Sequence, residues 1–150
     1  MDETILSMLK EEHQQINALM CKIERTRASD LKHETFEELK EILLTHMEGE
    51  EKTLYAKLRT DVYDEGAAEI ANNADYEHQE IKDLLKMVEE QETGSEDWNE
   101  LFADLKESVM SHVQYEETQL FSEVKEDFSR DEQISIGTQF EEAKNHASFH

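Results

Sequence analysis

Apolar residues recur at intervals of three and four along most of the chain, the spacing of one buried helix face. Leu6, Leu9, Ile16, Met20 and Ile23 form the first stripe; Phe36, Leu39, Leu43 and Leu54 form the second. Ala71, Ala74, Ile81, Leu85 and Val88 make the third; Trp98, Leu101, Leu105, Val109 and Leu120 make the fourth. Polar, turn-like breaks separate them: RTRASD around Ser29, DVYDEG around Gly66, ETGSED around Gly94 and EDFSRDEQ around Ser129. With no proline and only four glycines, little else interrupts a helix. The pattern predicts helices over 3–26, 35–60, 67–91, 96–127 and 131–146. Thr35 with Glu38 suits a capping box at the start of the second, and Asp30 is a competing start. The expected fold class is all-α, a single domain over 1–150, its main helices carrying the seams of a bundle.

Each stripe is interrupted by a histidine. His13, His46, His78 and His112 fall at stripe positions, and Glu50 and Glu116 follow one turn after His46 and His112. All six side chains point toward the expected core. Burying ionisable groups without partners costs several kcal/mol each. Helical carbonyls are already bonded, and the stripes contain no Lys or Arg to pair with the glutamates. A bound cation resolves the difficulty, because it takes neutral imidazole and carboxylate as ligands. A slightly polar core is the plainer alternative and ranks below it.

An internal duplication points the same way. Glu12-His13-Gln14, Ile16, Leu19 and Glu24 recur 65 positions later as Glu77-His78-Gln79, Ile81, Leu84 and Glu89. Phe36, Leu39-Lys40-Glu41, His46, Glu50-Glu51 and Leu54 recur 66 positions later as Phe102, Leu105-Lys106-Glu107, His112, Glu116-Glu117 and Leu120. Each half is a helical hairpin that brings two His and one Glu. On a helix, His and Glu four apart lie about 6 Å apart along the axis on nearly one face. Two quasi-equivalent halves suggest two ions with the carboxylates bridging, about 3.5–4 Å apart. Nitrogen and oxygen donors without thiolate favour iron, with manganese and zinc behind it.

Composition narrows the partners. Lys plus Arg number 15 against 38 Asp plus Glu, a net charge of -23 over 150 residues. That balance argues against nucleic acid phosphates and against an anionic membrane surface. No apolar stretch approaches the roughly 18 residues of a membrane span. The start, MDETILSMLKEEH, is acidic where a targeting peptide would be basic. Lone Cys21 excludes an internal disulfide and a Cys-rich zinc site, and a reducing cytoplasm is the expected location. Packing is the expected role of Cys21. The E-x-x-H pairs of ferritin-like di-iron bundles are missing, since Lys10, Leu43, Asp75 and Val109 stand three residues before the four histidines. There is no H-E-x-x-H, no Gly-rich phosphate loop and no Cys–His catalytic pairing.

His13, His46-x-x-x-Glu50, His78 and His112-x-x-x-Glu116 together resemble the hemerythrin-like, HHE cation-binding domains, over about residues 3–127. The resemblance implies an up-down four-helix bundle around a non-haem diiron centre. In it the four His would be terminal ligands and Glu50 and Glu116 bridges, with an oxo or hydroxo group between the irons. The additional C-terminal helix, with Ile134, Ile136, Phe140 and Ala143 on one side, would pack outside the bundle or serve an interface. Oxygen-carrying hemerythrins have a fifth His four residues before the position of His78, where this chain has Ala74. Their last carboxylate follows the last His by five residues. Here Glu117 has that spacing and is the weaker candidate beside Glu116. His33, Tyr55 and Tyr115 are further candidates to complete the coordination. For His33 the solvated loop is the better reading, and for Tyr115 packing. His146 and His150 read as tail residues.

The expected function is binding of, or reaction with, O2 or a related small oxidant such as peroxide or NO. Iron or oxygen sensing, and iron storage or donation for repair of iron centres, are the alternatives. Binding ranks above turnover, because no dedicated acid or base stands out.

Overall fold

The computed structural model describes residues 3–146, and it is helical throughout apart from short connections. Helices α1 (Ile5–Arg25), α2 (Ser29–Glu50), α3 (Ala56–Thr60), α4 (Glu65–Glu89), α5 (Glu96–Tyr115), α6 (Phe121–Asp127) and α7 (Arg130–Asn145) follow in order. One π-helical turn, Glu51–Tyr55, joins α2 to α3, and another, Glu116–Leu120, joins α5 to α6. The bundle therefore has four rods, α1, α2–α3, α4 and α5–α6, with α7 as a fifth element against α1, α2 and the first π turn. Among the described residues no helix is long and apolar enough to cross a membrane.

Local chemistry sets the ends. Thr4, Asp64 and Ser95 each accept a backbone N–H at the start of α1, α4 and α5, satisfying donors that a helix leaves free. Ser129 and Glu132 form a reciprocal capping box at α7. Gly94, at φ 85°, makes the turn before α5 in a conformation that other residues resist. The second helix starts at Ser29, not at residue 35, and its N-cap Ala28 makes no side-chain bond. The Thr35 hydroxyl bonds back to the Leu31 carbonyl, so the expected Thr35–Glu38 capping box does not form. Asp30 sits in the first turn of that helix, favourable to its dipole.

The apolar stripes close into two clusters. Ile16, Met20, Ile23, Phe36, Leu39, Leu43, Ile81, Leu85, Trp98 and Phe102 belong to one end of the bundle. Ile5, Leu9, Leu54, Leu58, Ala71, Leu120, Val124, Ile136 and Phe140 belong to the other. Between them lies the level of the four stripe histidines. Ile136 and Phe140 are buried, so the C-terminal helix packs on the outside of the bundle. Gly49 makes room for it: a Cβ there would stand 2.7 Å from the Phe140 ring. The equivalent position of the second hairpin carries Tyr115.

Candidate metal centre

Position on a rod decides which polar groups reach the axis. His13 comes from α1, His46 and Glu50 from the end of α2, His78 from α4, and His112 and Glu116 from the α5 junction with its π turn. All six predicted residues are at most 4% exposed. Their donor atoms form two groups that share both glutamates. His13, His46, Glu50 and Glu116 are one; Glu50, His78, His112 and Glu116 are the other, with donor atoms within 4.8 Å of one another in each.

Every histidine is oriented from outside. His13 Nδ1 meets Glu117 at 2.8 Å, His46 Nδ1 meets Glu12 at 2.6 Å, His78 Nδ1 meets Glu51 at 2.7 Å and His112 Nδ1 meets Glu77 at 2.7 Å. An ionised carboxylate only accepts, so each Nδ1–H donates, and in neutral imidazole Nε2 keeps its lone pair. All four Nε2 atoms then face inward. The pattern repeats across the duplication: Glu12 on His46 corresponds to Glu77 on His112, and Glu51 on His78 to Glu117 on His13. Lysines anchor two of these carboxylates. Lys82 bonds Glu51 at 3.1 Å, and Lys144 of α7 bonds Glu12.

The inward atoms are in close quarters. His78 Nε2 and His112 Nε2 are 3.0 Å apart, and His13 Nε2 is 3.1 Å from Glu116 Oε1. Glu50 Oε1 approaches His46 Nε2 at 3.1 Å and His78 Nε2 at 3.2 Å. Those approaches lack hydrogen-bond geometry: His46 Nε2 and both Glu50 oxygens are buried without a hydrogen-bond partner. Buried acceptors left without a donor are what a cation satisfies and an apolar core does not. Burial, with the neighbouring Glu116 carboxylate, pushes Glu50 well above the usual carboxylate range. Burial also opposes ionisation of Glu116, but its close contacts with His112, Glu50 and His13 outweigh it and hold that group well below the range. The donor set of imidazole nitrogen and shared carboxylate oxygen fits a pair of divalent cations such as iron, manganese or zinc.

Tyr55 breaks the symmetry. Its hydroxyl lies 3.1 Å from His78 Nε2 and donates to Glu116 Oε2. The side chain is fully buried, and burial together with the Glu116 and Glu50 charges pushes the phenol pKa well above its ordinary value. In a continuous α-helix, a residue five after Glu50 would be turned roughly 140° away from it. The π turn brings Tyr55 back toward the Glu50 face, a known use of such turns at functional sites. The counterpart of Tyr55 is Phe121, whose ring stacks on His13 at 6.3 Å between centroids. Only one of the two donor groups thus has a phenol.

Other candidates lie elsewhere. His33 is exposed, 3.4 Å from the Thr93 hydroxyl. The Tyr115 hydroxyl meets Asn73 at 3.5 Å, and Glu117 holds the outer nitrogen of His13. His146 is exposed at the end of α7, and His150 lies outside the described residues. Cys21 is a half-buried free thiol. Glu12, Glu51 and Glu77 are not among the candidates that the sequence offered for the site. The signal was present in the duplication, which repeats Glu12-His13 as Glu77-His78 and Glu50-Glu51 as Glu116-Glu117.

Comparison with known proteins agrees with this geometry. Residues 4–124 match the family described as the hemerythrin HHE cation-binding domain. A crystal structure of a hemerythrin HHE cation-binding domain-containing protein from Mycobacterium kansasii superposes with a TM-score of 0.81 at 21% identity, covering 95% of this chain and 88% of that one. A protein named DNA nickase, from Nostoc sp., is 26% identical over 144 residues, which is 96% of this chain. The chain spans only 40% of that relative's length.

Proposed function

Because this chain belongs to the hemerythrin HHE cation-binding domain family, we propose that its cations are two irons and that the centre binds or reacts with O2, peroxide or NO. The observation that carries this reading is the pair of buried donor groups that share Glu50 and Glu116, in which His46 Nε2 and both Glu50 oxygens have no hydrogen-bond partner. His13 and His46 would hold one ion, His78 and His112 the other, with the two glutamates bridging. Ferrous iron held by these residues would supply electrons to a small oxidant.

The chain's own residues do the rest. The outer glutamates fix each imidazole with Nε2 inward, so the donor geometry is set before any ion arrives. Tyr55 adds a hydroxyl on the His78 side, as a ligand or as a proton donor to the bridging Glu116. Phe121 offers only carbon at the matching place beside His13. That side has one donor fewer, which supports placing the oxidant there. The apolar clusters above and below exclude water and confine the reactive ligand.

Anaerobic reconstitution with ferrous iron followed by air tests this. About two irons per chain and near-ultraviolet charge-transfer bands are expected, with His112→Ala losing one iron. A colourless, iron-free protein after that treatment refutes the proposal.

One contact favours a second reading as an iron or oxygen sensor. Lys144 on α7 bonds Glu12, which bonds His46, so the outer helix is linked to one ligand. Amide exchange in α7 that responds to metal loading would support it, and unchanged exchange would oppose it. Nicking of DNA is not proposed for this chain, whose net charge of -23 repels phosphates.

A further inference from the structure

A cavity of about 440 Å³ opens along the seam between α1 and α5, beside His13. Ile16, Met20, Val109 and Val113 give it apolar walls, and Asn17 and Glu117 give it a polar end. The duplication explains why space exists here. Asn17 stands where the second half has Lys82, Val109 where the first hairpin has Leu43, and Val113 where it has Met47. Three larger side chains thus line the matching seam between α2 and α4.

The charges differ as well. On the matching seam the Lys82 ammonium bonds Glu51, the carboxylate that holds His78, and Lys52 pairs with Glu48 at 3.1 Å. Here Thr118 and Gln114 replace that second pair. Glu117 holds His13, and among the described residues no lysine or arginine reaches it. One of two equivalent carboxylates therefore has an ammonium and the other has a cavity.

We propose that this cleft binds a small aliphatic amine, its ammonium on Glu117 and its alkyl body against Ile16, Met20, Val109 and Val113. The ligand reproduces in trans what Lys82 does beside Glu51. The volume lies within the roughly 300–1,000 Å³ of small-molecule sites. The net charge of -23 raises the local concentration of cations. Binding requires only the Glu117 carboxylate, the cavity and a folded bundle, so it is separable from the identity of the metals.

The test is titration of the full chain, with and without metal, using n-butylammonium chloride at constant ionic strength, followed by NMR of the valine and isoleucine methyls. Saturable shifts at Ile16, Val109 and Val113 are expected. The neutral isostere n-butanol should bind about fivefold more weakly, the value of one partly exposed ion pair. Asn17→Lys, a change at an exposed position, should remove the binding, and Asn17→Gln should keep it. Equal affinity for n-butanol, shifts that never saturate and spread over the acidic surface, or binding that survives Asn17→Lys would each overturn the proposal.

Discussion

Replacing Tyr55 by Phe removes one oxygen from the centre and almost nothing else. The ring stays in a fully buried position, so no cavity term of consequence arises. What is lost is a hydrogen bond to Glu116, a carboxylate held ionised in the interior, and a contact with His78 Nε2. A hydrogen bond to a charged group contributes about 1.5–3 kcal/mol, and a buried acceptor left short of a donor forfeits that without compensation from water. In a chain of 150 residues, each kcal/mol moves Tm by about 2–4 °C, so the metal-free variant should melt about 3–12 °C lower. Urea unfolding of metal-free wild type and variant at pH 7 measures the difference directly. Metal competition then reads the second consequence: loss of a group that orients ligands costs about 10–100-fold in affinity, and the loss should fall on one of two metal equivalents. A variant within about 0.5 kcal/mol of wild type, with both equivalents bound as before, would show that the phenol neither satisfies Glu116 nor serves the centre.

Glu12→Gln should weaken metal binding about 10–100-fold, because His46 Nδ1 then faces a neutral acceptor and Lys144 keeps only Glu141 as an ionic partner; unchanged chelator competition would contradict the role given to Glu12. Gly49→Ala should lower stability by up to about 2 kcal/mol, an overpacking cost of about 1–3 against a helix-propensity gain of about 1. The added Cβ would stand 2.7 Å from the Phe140 ring, so Phe140→Leu in the same chain should recover part of the loss, and a stabilised Gly49→Ala would refute the clash. On the outer side of the bundle, the adjacent Asp127 carboxylate, burial and the charge of Asp64 push Glu123 up to about 7. The native state therefore binds the proton more tightly than the unfolded chain does, so this contribution is full below the ordinary value of 4.5 and is lost as pH rises through about 7. Glu123→Gln should accordingly stabilise by about 0.2–0.5 kcal/mol at pH 8 and little at pH 5; an equal gain at both, by urea midpoint, would contradict the sign.

The six buried candidate residues could be read from the sequence because burial is what the stripes report. A histidine at the place of a core leucine is conspicuous, and its recurrence with a following glutamate made Glu50 and Glu116 stand out among 38 acidic residues. The outer carboxylates lacked that contrast. Glu51, Glu77 and Glu117 remain about a third exposed at their side chains, where an acidic residue is the ordinary occupant of a helix surface. The inward turn of Tyr55 was hidden for a different reason. Periodicity assigns Leu54 to the core one turn after Glu50, and only a π turn brings both Leu54 and its neighbour inside. The Thr35 start for α2 fails because a capping motif there has no effect when the residues before it already continue the helix, whereas the competing start at Asp30 falls one residue from the observed Ser29.

Duplication normally makes two halves alike, and the shared carboxylates keep them so at the axis. The differences between the halves are not scattered. Tyr55 against Phe121, Lys82 against Asn17, and Met47 against Val113 all add a donor, a charge or bulk around His78 and remove one around His13. Gly49 against Tyr115 lets α7 cover the first hairpin alone and bring Lys144 to the carboxylate behind His46. A purely structural core would gain nothing from such a bias, since both halves bury the same kind of stripe. A centre that admitted a small molecule on one side and closed the other, as proposed above, would use it. The asymmetry is thus a stronger argument for chemistry at this site than the number of ligands, which a symmetric structural site would share.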